Sequence, residues 1–257
     1  MCFDSESGPP IGDGPIAEVD RESLTLTAAD GAIFQAFTAR PQTVTGIGVV
    51  VMPDVRGLYR FYRELAVCIA EVGHTAVAID YFGRTAGIGE RDEDFPYMEH
   101  VAQTTRAGVQ ADVDAAAAYL RTPEGGSCQT VFTVGFCFGG RRSFVAAALA
   151  RDLTGVIGFY GRPGPGPDGP GPSAVAESIS VPVLAVFGGA DDGIPPEDVS
   201  DFERALTAAR VDHEVITYPG APHSFFDRRY EDHADASADA WRRVLAFIDR
   251  HGSPNRG

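Results

Sequence analysis

The chain has 257 residues, 44% of them hydrophobic, and a formal net charge of −15. This length and apolar content are enough for one sizeable core, and α/β folds of this length are often single domains. The acidic balance argues against nucleic acid and anionic membranes as partners, because both are themselves negatively charged.

The N-terminal segment, residues 1–20, is rich in Gly, Pro and acidic side chains and is predicted to be a flexible arm. Residues 21–257 are predicted to form a single domain. We see no apolar core of a secretion signal and no apolar run as long as a membrane span. The four cysteines, at positions 2, 68, 128 and 137, lack zinc-ligand or disulfide-framework spacing. We therefore expect a cytoplasmic protein with reduced thiols, no metal and no membrane partner.

Along the rest of the chain, strand-like and helix-like segments alternate. A turn signal at residues 29–31 separates two short apolar stretches, residues 24–27 and 33–38, which predicts a β-hairpin. The alternation that follows predicts a parallel sheet covered by helices. The predicted strands after the hairpin are residues 46–52, 75–79, 131–134, 155–160, 181–187 and 213–218. The predicted helices are residues 60–72, 105–120, 141–150, 196–209 and 234–251.

One segment, residues 162–172, consists almost entirely of Pro and Gly. Repeated proline removes backbone donors, so the segment can form neither a helix nor a central strand. It is predicted to be a surface loop, and a passive insertion is favoured over the rim of a site.

The most informative stretch is residues 135–140, of sequence GFCFGG, which lie between a predicted strand and a predicted helix. This is the setting of a nucleophile elbow, with cysteine where serine is usual. The glycines are needed because a Cβ there would collide with neighbouring backbone. The amide of Phe138 would lie at a helix N-terminus, where an oxyanion is stabilised. The alternative is a tight turn with Cys137 as a buried structural residue.

Two later segments offer partners for the thiol. A thiol attacks only as the thiolate, so it needs a base and a group that orients the base. Asp191 follows one predicted strand and His223 follows the last one. Nucleophile, acid and histidine in this order, each after a strand, are typical of α/β-hydrolases. Asp192 is the alternative acid, but the register of the glycine-rich turn favours Asp191. The sequence therefore predicts a Cys137–His223–Asp191 triad.

These separated motifs resemble the dienelactone hydrolase family, from about residue 24 to residue 248. The resemblance implies an α/β-hydrolase fold with a mostly parallel central sheet of about eight strands and helices on both faces. It implies a carboxymethylenebutenolidase-like hydrolase of carboxylic esters or lactones that forms a covalent thioester on Cys137. It implies a small-molecule ester or lactone as the partner. The sequence contains no phosphate-cradling Gly-rich loop and no HExxH metal motif, so we expect no cofactor. We expect a monomer or a weak homodimer.

The family pattern also implies residues around the thiol. It places an acidic residue after the first buried parallel strand, where this chain has Asp54, one methylene shorter than the Glu of better-known members. Asp54 either acts on the thiol proton or pairs with Arg56, Arg60 or Arg84. Val55 is the implied second oxyanion donor beside Phe138.

Two arginines hold the substrate carboxylate in the family pattern. Arg84 matches the first, and a guanidinium suits a planar carboxylate; the alternative is a surface or structural arginine. The position of the second carries Asp227, so either Arg228 takes its place or the pocket accepts a different ester. The alternative functions are a general esterase or thioesterase and, as a different class, a non-catalytic thiol redox sensor on the same fold.

Overall fold

The computed structural model describes residues 8–9, 18–92, 94–149, 152–166 and 169–252. Most of the predicted N-terminal arm lies outside the described residues, and so do residues 167 and 168 of the Pro/Gly-rich segment.

The strands of the described residues form one eight-stranded sheet. They are β1 (Val19–Thr27), β2 (Ile33–Pro41), β3 (Ile47–Met52), β4 (Thr75–Ile79), β5 (Thr130–Phe136), β6 (Gly155–Phe159), β7 (Val183–Gly188) and β8 (His213–Tyr218). Their order in the sheet is β1-β2-β4-β3-β5-β6-β7-β8. β2 pairs antiparallel with both β1 and β4, whereas all pairs among β3 to β8 are parallel. The predicted hairpin and mostly parallel sheet are confirmed.

Both faces of the central sheet are covered. Every residue of β3, β4, β6 and β7 is buried. Because successive side chains of a strand point to opposite faces, unbroken burial requires helices on both sides. The helices are α1 (Arg60–Glu71), α2 (Gly83–Ala86), α3 (Tyr97–Gln103), α4 (Arg106–Arg121), α5 (Phe138–Leu149), α6 (Pro196–Ala208) and α7 (Ala234–Gly252). Among the described residues, none of these helices is both long and apolar enough to cross a bilayer.

The starts of two predicted helices have clear local causes. α4 begins after Thr105, whose hydroxyl accepts a hydrogen bond from the backbone N–H of Gly108, as an N-cap residue should. α6 begins with Pro196, which suits a first turn because its missing N–H would have no helical partner. The two short helices α2 and α3 were not predicted. They contain four and seven residues, too few for a helical apolar repeat to be recognised.

The carboxyl ends of the parallel strands meet at one edge of the sheet. The register aligns the last residue of β5, Phe136, with Phe159 of β6, and the last residue of β7, Gly188, with Tyr218 of β8. The segments that follow β3, β5, β6, β7 and β8 therefore lie side by side. In open α/β sheets this edge is where ligands bind.

Candidate active site

Cys137 occupies the sharp turn between β5 and α5. Its φ is +52°, a left-handed conformation that is uncommon for a residue with a side chain. The turn is fixed on both sides: the Cys137 N–H donates to Phe159 O at 2.9 Å, and its carbonyl accepts from the Arg141 N–H at 3.0 Å. A Cβ at Gly139 would collide with the carbonyl oxygens of Met52 and Pro53. The predicted elbow is thus packed against the segment that follows β3.

His223 is oriented by a buried carboxylate. Its Nδ1 lies 2.6 Å from Oδ2 of Asp191, and the other oxygen of Asp191 accepts the Gly193 N–H at 2.9 Å. Because a carboxylate can only accept, Nδ1 of a neutral His223 carries the proton and Nε2 has the lone pair. The His223 side chain is 29% exposed, while that of Asp191 is 2% exposed. The structure therefore brings together the predicted acid and base.

Cys137 and His223 line the same cavity, of about 530 Å³. Apolar groups form much of its wall, with several polar groups among them, as in sites for small organic molecules. The remaining lining residues are Val55, Val101, Ala102, Thr104, Phe138, Arg141, Arg142, Tyr160, Arg162, Gly166, Gly193 and Ile194. Among the residues that the structure describes, no three His, Cys, Asp or Glu side chains are grouped as metal ligands would be.

Both predicted oxyanion donors belong to residues of this cavity. Phe138 is the first residue of α5, so its N–H lies at the positive end of a helix. Val55 lies in a tight turn in which Oδ1 of Asp54 accepts the Arg56 N–H at 2.8 Å. Both residues line the cavity, and their roles as oxyanion donors stay predictions.

Comparison with known proteins is consistent with this geometry. The model of the dienelactone hydrolase family matches residues 34–252. The chain belongs to the dienelactone hydrolase family. The family comprises ester and lactone hydrolases with the α/β-hydrolase fold, so both the resemblance and the fold class are confirmed.

Individual members of the dienelactone hydrolase family align along most of the chain. A protein of Escherichia coli (strain K12) named "Putative carboxymethylenebutenolidase" is 30% identical over 237 residues, which cover 89% of this chain and 87% of that protein. A carboxymethylenebutenolidase of Rhodococcus opacus is 28% identical over 264 residues, with 99% and 100% covered. A crystal structure named "Putative Dienelactone Hydrolase", from Klebsiella pneumoniae subsp. pneumoniae MGH 78578, is 27% identical with a TM-score of 0.79, and the match covers 90% of this chain and 99% of that one.

Arg84, which the dienelactone hydrolase pattern implies for substrate binding, is not among the residues that line the cavity. Its guanidinium Nη1 lies 2.6 Å from Asp30 Oδ2, and its Nε lies 3.1 and 3.0 Å from the two carboxylate oxygens of Asp112. Asp112 is fully buried, so this ion pair fastens α2 to α4 and to the β-hairpin turn. The contacts of Arg84 are those of a structural residue.

Arg228 and Asp227, which follow His223, differ in their exposure to solvent. Arg228 is exposed and lines a separate open depression beside His223 and Asp191, outside the 530 Å³ cavity. Asp227 is 1% exposed, and its carboxylate accepts the Arg228 N–H. Burial raises the pKa of Asp227 to about 6. Neither residue therefore contributes a cation to the cavity.

Asp54 is also buried rather than pocket-lining. Its side chain is inaccessible to solvent, and the Tyr81 hydroxyl donates to its backbone carbonyl at 2.7 Å. Burial, and after it the nearby carboxylate of Asp227, raise the pKa of Asp54 well above its ordinary value. Of the arginines considered as its partners, Arg60 and Arg84 form ion pairs with other acids. Arg56 contacts Asp54 through its backbone N–H.

Two residues of the site were missed from the sequence. Tyr160 follows β6, lines the cavity and has a φ of +37°, and its ring centre lies 4.9 Å from that of His223. Because Tyr160 is the last residue of a predicted parallel strand, the sequence could have indicated that it lies at the site. Arg142 also lines the cavity, with its guanidinium carbon 4.8 Å from the centre of the Phe138 ring. Its position one turn into α5 could have suggested that it faces the elbow.

The Pro/Gly-rich segment is not a passive insertion. Arg162 and Gly166 line the cavity, so the segment forms part of its rim. Arg141 of α5 holds the segment in place: its Nη1 donates to the carbonyls of Arg162 and Gly164, both at 2.6 Å. The expectation failed because side-chain hydrogen bonds from α5, which no local pattern reveals, replace the backbone pairing that proline prevents.

Proposed function

We propose that this member of the dienelactone hydrolase family hydrolyses carboxylic esters or lactones through a Cys137–His223–Asp191 triad and a covalent thioester. The observation that carries the proposal is the shared cavity. It contains a cysteine in a strained elbow and a histidine whose Nδ1 is held by a buried carboxylate at 2.6 Å. A nucleophile, an oriented base and two candidate oxyanion donors then border one space that fits a small molecule.

The proposed reaction has two halves. His223 Nε2 takes the thiol proton as the Cys137 sulfur attacks the carbonyl carbon, and the N–H groups of Phe138 and Val55 stabilise the oxyanion. The ester C–O bond then breaks, and the leaving oxygen takes the proton from His223. In the second half a water molecule gives its proton to His223 and attacks the thioester. The C–S bond breaks, the carboxylic acid leaves, and the sulfur regains its proton.

An enol lactone or aryl ester suits this nucleophile. A thiolate attacks carbonyls readily, but the tetrahedral intermediate returns to reactants unless the other leaving group is good. The enolate that a dienelactone releases, or a phenolate, is such a group. A carboxymethylenebutenolidase-like reaction, as the names of the relatives indicate, therefore agrees with the chemistry of Cys137.

A different acyl group is the second candidate. The arginine position after His223 is occupied by the buried acid Asp227, and Arg84 is held by Asp30 and Asp112. Neither of the two positions that hold a carboxylate in the family pattern therefore offers a cation to the cavity. A substrate carboxylate would have to be held at other positions, by Arg142 or Arg162 of the cavity lining, which favours an esterase or thioesterase for a different acyl group.

A panel of aryl esters, thioesters and enol lactones tests the proposal. We expect the wild type to hydrolyse at least one class and Cys137→Ala to lose about 10³-fold or more in kcat. Mass spectrometry after rapid quenching should find the acyl group on the peptide that contains Cys137. Cys68→Ala is the matched control, because Cys68 lies buried on α1 and should be dispensable. Equal rates for wild type and Cys137→Ala would reject the mechanism, and no turnover of any ester would favour the redox-sensor alternative.

A further inference from the structure

Two buried carboxylates, Asp54 and Asp227, lie behind the elbow and are not used in the proposed reaction. They are 0% and 1% exposed. Each accepts one backbone N–H from its own tight turn, from Arg56 and Arg228 respectively. In both, Oδ2 makes no hydrogen bond of ordinary geometry to the described residues. The two groups are near enough for the charge of Asp227 to act on Asp54.

The groups around the two acids are mainly hydroxyls. Asp54 is faced by Tyr62 of α1, by Tyr81 and by Arg56. The guanidinium carbon of Arg56 lies 5.3 Å from the centre of the Tyr97 ring. Asp227 is faced by His223 and by the hydroxyls of Tyr160 and Ser224. The charges of Tyr59 and Cys137 also raise the pKa of these tyrosines: Tyr59 acts on both Tyr62 and Tyr160, and Cys137 acts on Tyr160. No ion pair within 4 Å joins either carboxylate to a cation among the described residues, so nothing in direct contact offsets two negative charges.

We propose that Asp54 and Asp227 share one proton at neutral pH, with Asp54 as the carboxylic acid and Asp227 as the carboxylate. Like charges in a buried site cannot both ionise without a large desolvation cost, so one proton is retained. The negative charge belongs on Asp227, because it has the Arg228 N–H, two hydroxyls and His223 around it. Asp54 has the Arg56 N–H, the Tyr62 hydroxyl and the Arg56 guanidinium around it, but its complete burial outweighs them, so it is the better place for the proton.

This division of charge favours the proposed reaction. The inference rests on that proposed function. When Cys137 gives its proton to His223, a thiolate and an imidazolium form. A neutral Asp54 does not repel the thiolate, whereas an ionised Asp54 would raise the pKa of the thiol. The negative charge of Asp227 stabilises the imidazolium alongside Asp191. Asp227 is thus a positioning residue that acts through His223 and Asp54.

The pH profile of Cys137 alkylation by iodoacetamide, followed on the peptide that contains Cys137, tests the charge division. Asp227→Asn removes the repulsion that opposes ionisation of Asp54, so Asp54 ionises at lower pH and repels the thiolate, and we expect the midpoint of the profile to rise by about one pH unit. Asp54→Asn leaves the charge where it was, so the midpoint should stay in place. Adding Asp54→Asn to Asp227→Asn should return the midpoint at least halfway to the wild-type value.

The opposite assignment gives the opposite result. If Asp54 is ionised in the wild type, Asp54→Asn removes a like charge and lowers the midpoint, and Asp227→Asn does little; that outcome overturns the proposal. Asp112→Asn is the matched control, because Asp112 is an equally buried carboxylate that Arg84 neutralises. It should not move the midpoint.

Infrared spectra of the intact wild-type protein provide a second readout that needs no reactive thiol. We expect the band of a protonated carboxyl at pH 7, and its loss in Asp54→Asn but not in Asp112→Asn. The absence of any such band in the wild type would overturn the proposal. Should Cys137→Ala keep full activity, the proposed function fails, yet the carboxyl band still reports on Asp54 and Asp227. The two failures are therefore distinguishable.

Discussion

Five described residues other than glycine have a positive φ, and three of them lie at or next to the cavity. Cys137, Tyr160 and Ser224 have φ values of +52°, +37° and +59°, although each carries a side chain. Cys137 and Tyr160 line the cavity, and Ser224 directly follows His223. Such conformations cost about 1–3 kcal/mol each and persist only where the surrounding packing enforces them. Here the enforced turns set the positions of the thiol, of the ring packed against His223, and of His223 itself.

The contact between His223 and Asp191 predicts a specific loss of activity. Asp191→Asn keeps the shape of the acid but can donate to Nδ1, which favours the tautomer with the proton on Nε2. That tautomer cannot accept the thiol proton. We expect kcat to fall by about 10³–10⁴-fold with little change in KM. Steady-state kinetics on an aryl ester measure both kcat and KM.

Asp192→Asn is the control for this change, because Asp192 is exposed and was the alternative acid in the sequence. It should retain activity within about threefold, as exposed substitutions usually have small effects. A large loss of activity in Asp192→Asn, together with a small loss in Asp191→Asn, would show that Asp192 is the acid of the triad.

At the scale of elements, the elbow depends on how closely α5 approaches the segment after β3. A Cβ at Gly139 would collide with the Met52 and Pro53 carbonyl oxygens, which belong to rigid backbone. Gly139→Ala must therefore push α5 away from β3, and we expect a loss of about 3 kcal/mol or more in the free energy of unfolding. The same shift would separate Phe138 from Val55 and lower kcat. Urea unfolding and ester kinetics measure the two effects.

Gly89→Ala is the matched control. The nearest atom to its added Cβ would be Arg91 Nη1 at 3.6 Å, an ordinary contact. Its stability should stay within about 0.5 kcal/mol of the wild type. Equal stabilities for Gly139→Ala and Gly89→Ala would show that α5 is free to move away from β3 at no cost.

The elements that the sequence revealed are those with a local signal. β4 was predicted with its exact bounds, Thr75–Ile79, because an unbroken apolar run is framed by Gly-His and by Asp. The start of β1 was missed: the strand begins at Val19, in a stretch rich in charged and exposed residues. That stretch is ordered by pairing with β2, from Val19 opposite Pro41 onward, and such long-range pairing leaves no periodic mark in the sequence.

At the scale of the whole molecule, the candidate site was predictable where it follows from topology. Parallel strands end at one edge, so Cys137, Asp191 and His223 could be grouped from their positions after strands. The ion-pair partners of Arg84 could not be predicted in this way, because Asp30 lies in a hairpin turn and Asp112 in α4 rather than after a parallel strand. The burial of Asp227 was equally hidden, since it depends on side chains packed over the loop after β8.

The buried acids also give the molecule a particular dependence of stability on pH. Asp227 has a pKa of about 6 in the folded protein against 3.8 as the ordinary value, and the pKa of Asp54 is also raised well above that ordinary value. A carboxyl whose pKa is raised on folding binds more protons in the folded state. For Asp227 this contribution to stability is therefore fully present below pH 4 and is lost as the pH rises through 6. For Asp54, the proposed neutral acid at pH 7, the loss continues at higher pH.

The difference between wild type and the Asp54→Asn/Asp227→Asn variant isolates this effect, because the repulsion among the other acidic side chains is common to both. We expect the wild type to lose about 2 kcal/mol through Asp227 alone, and more through Asp54, relative to the variant between pH 4 and pH 7. Urea unfolding at constant ionic strength measures it, and Asp192→Asn should follow the wild type throughout. Carboxylates stabilised by cations would give the reverse slope, with the wild type gaining on the variant as the pH rises. A constant difference would mean that neither acid changes its protonation on folding.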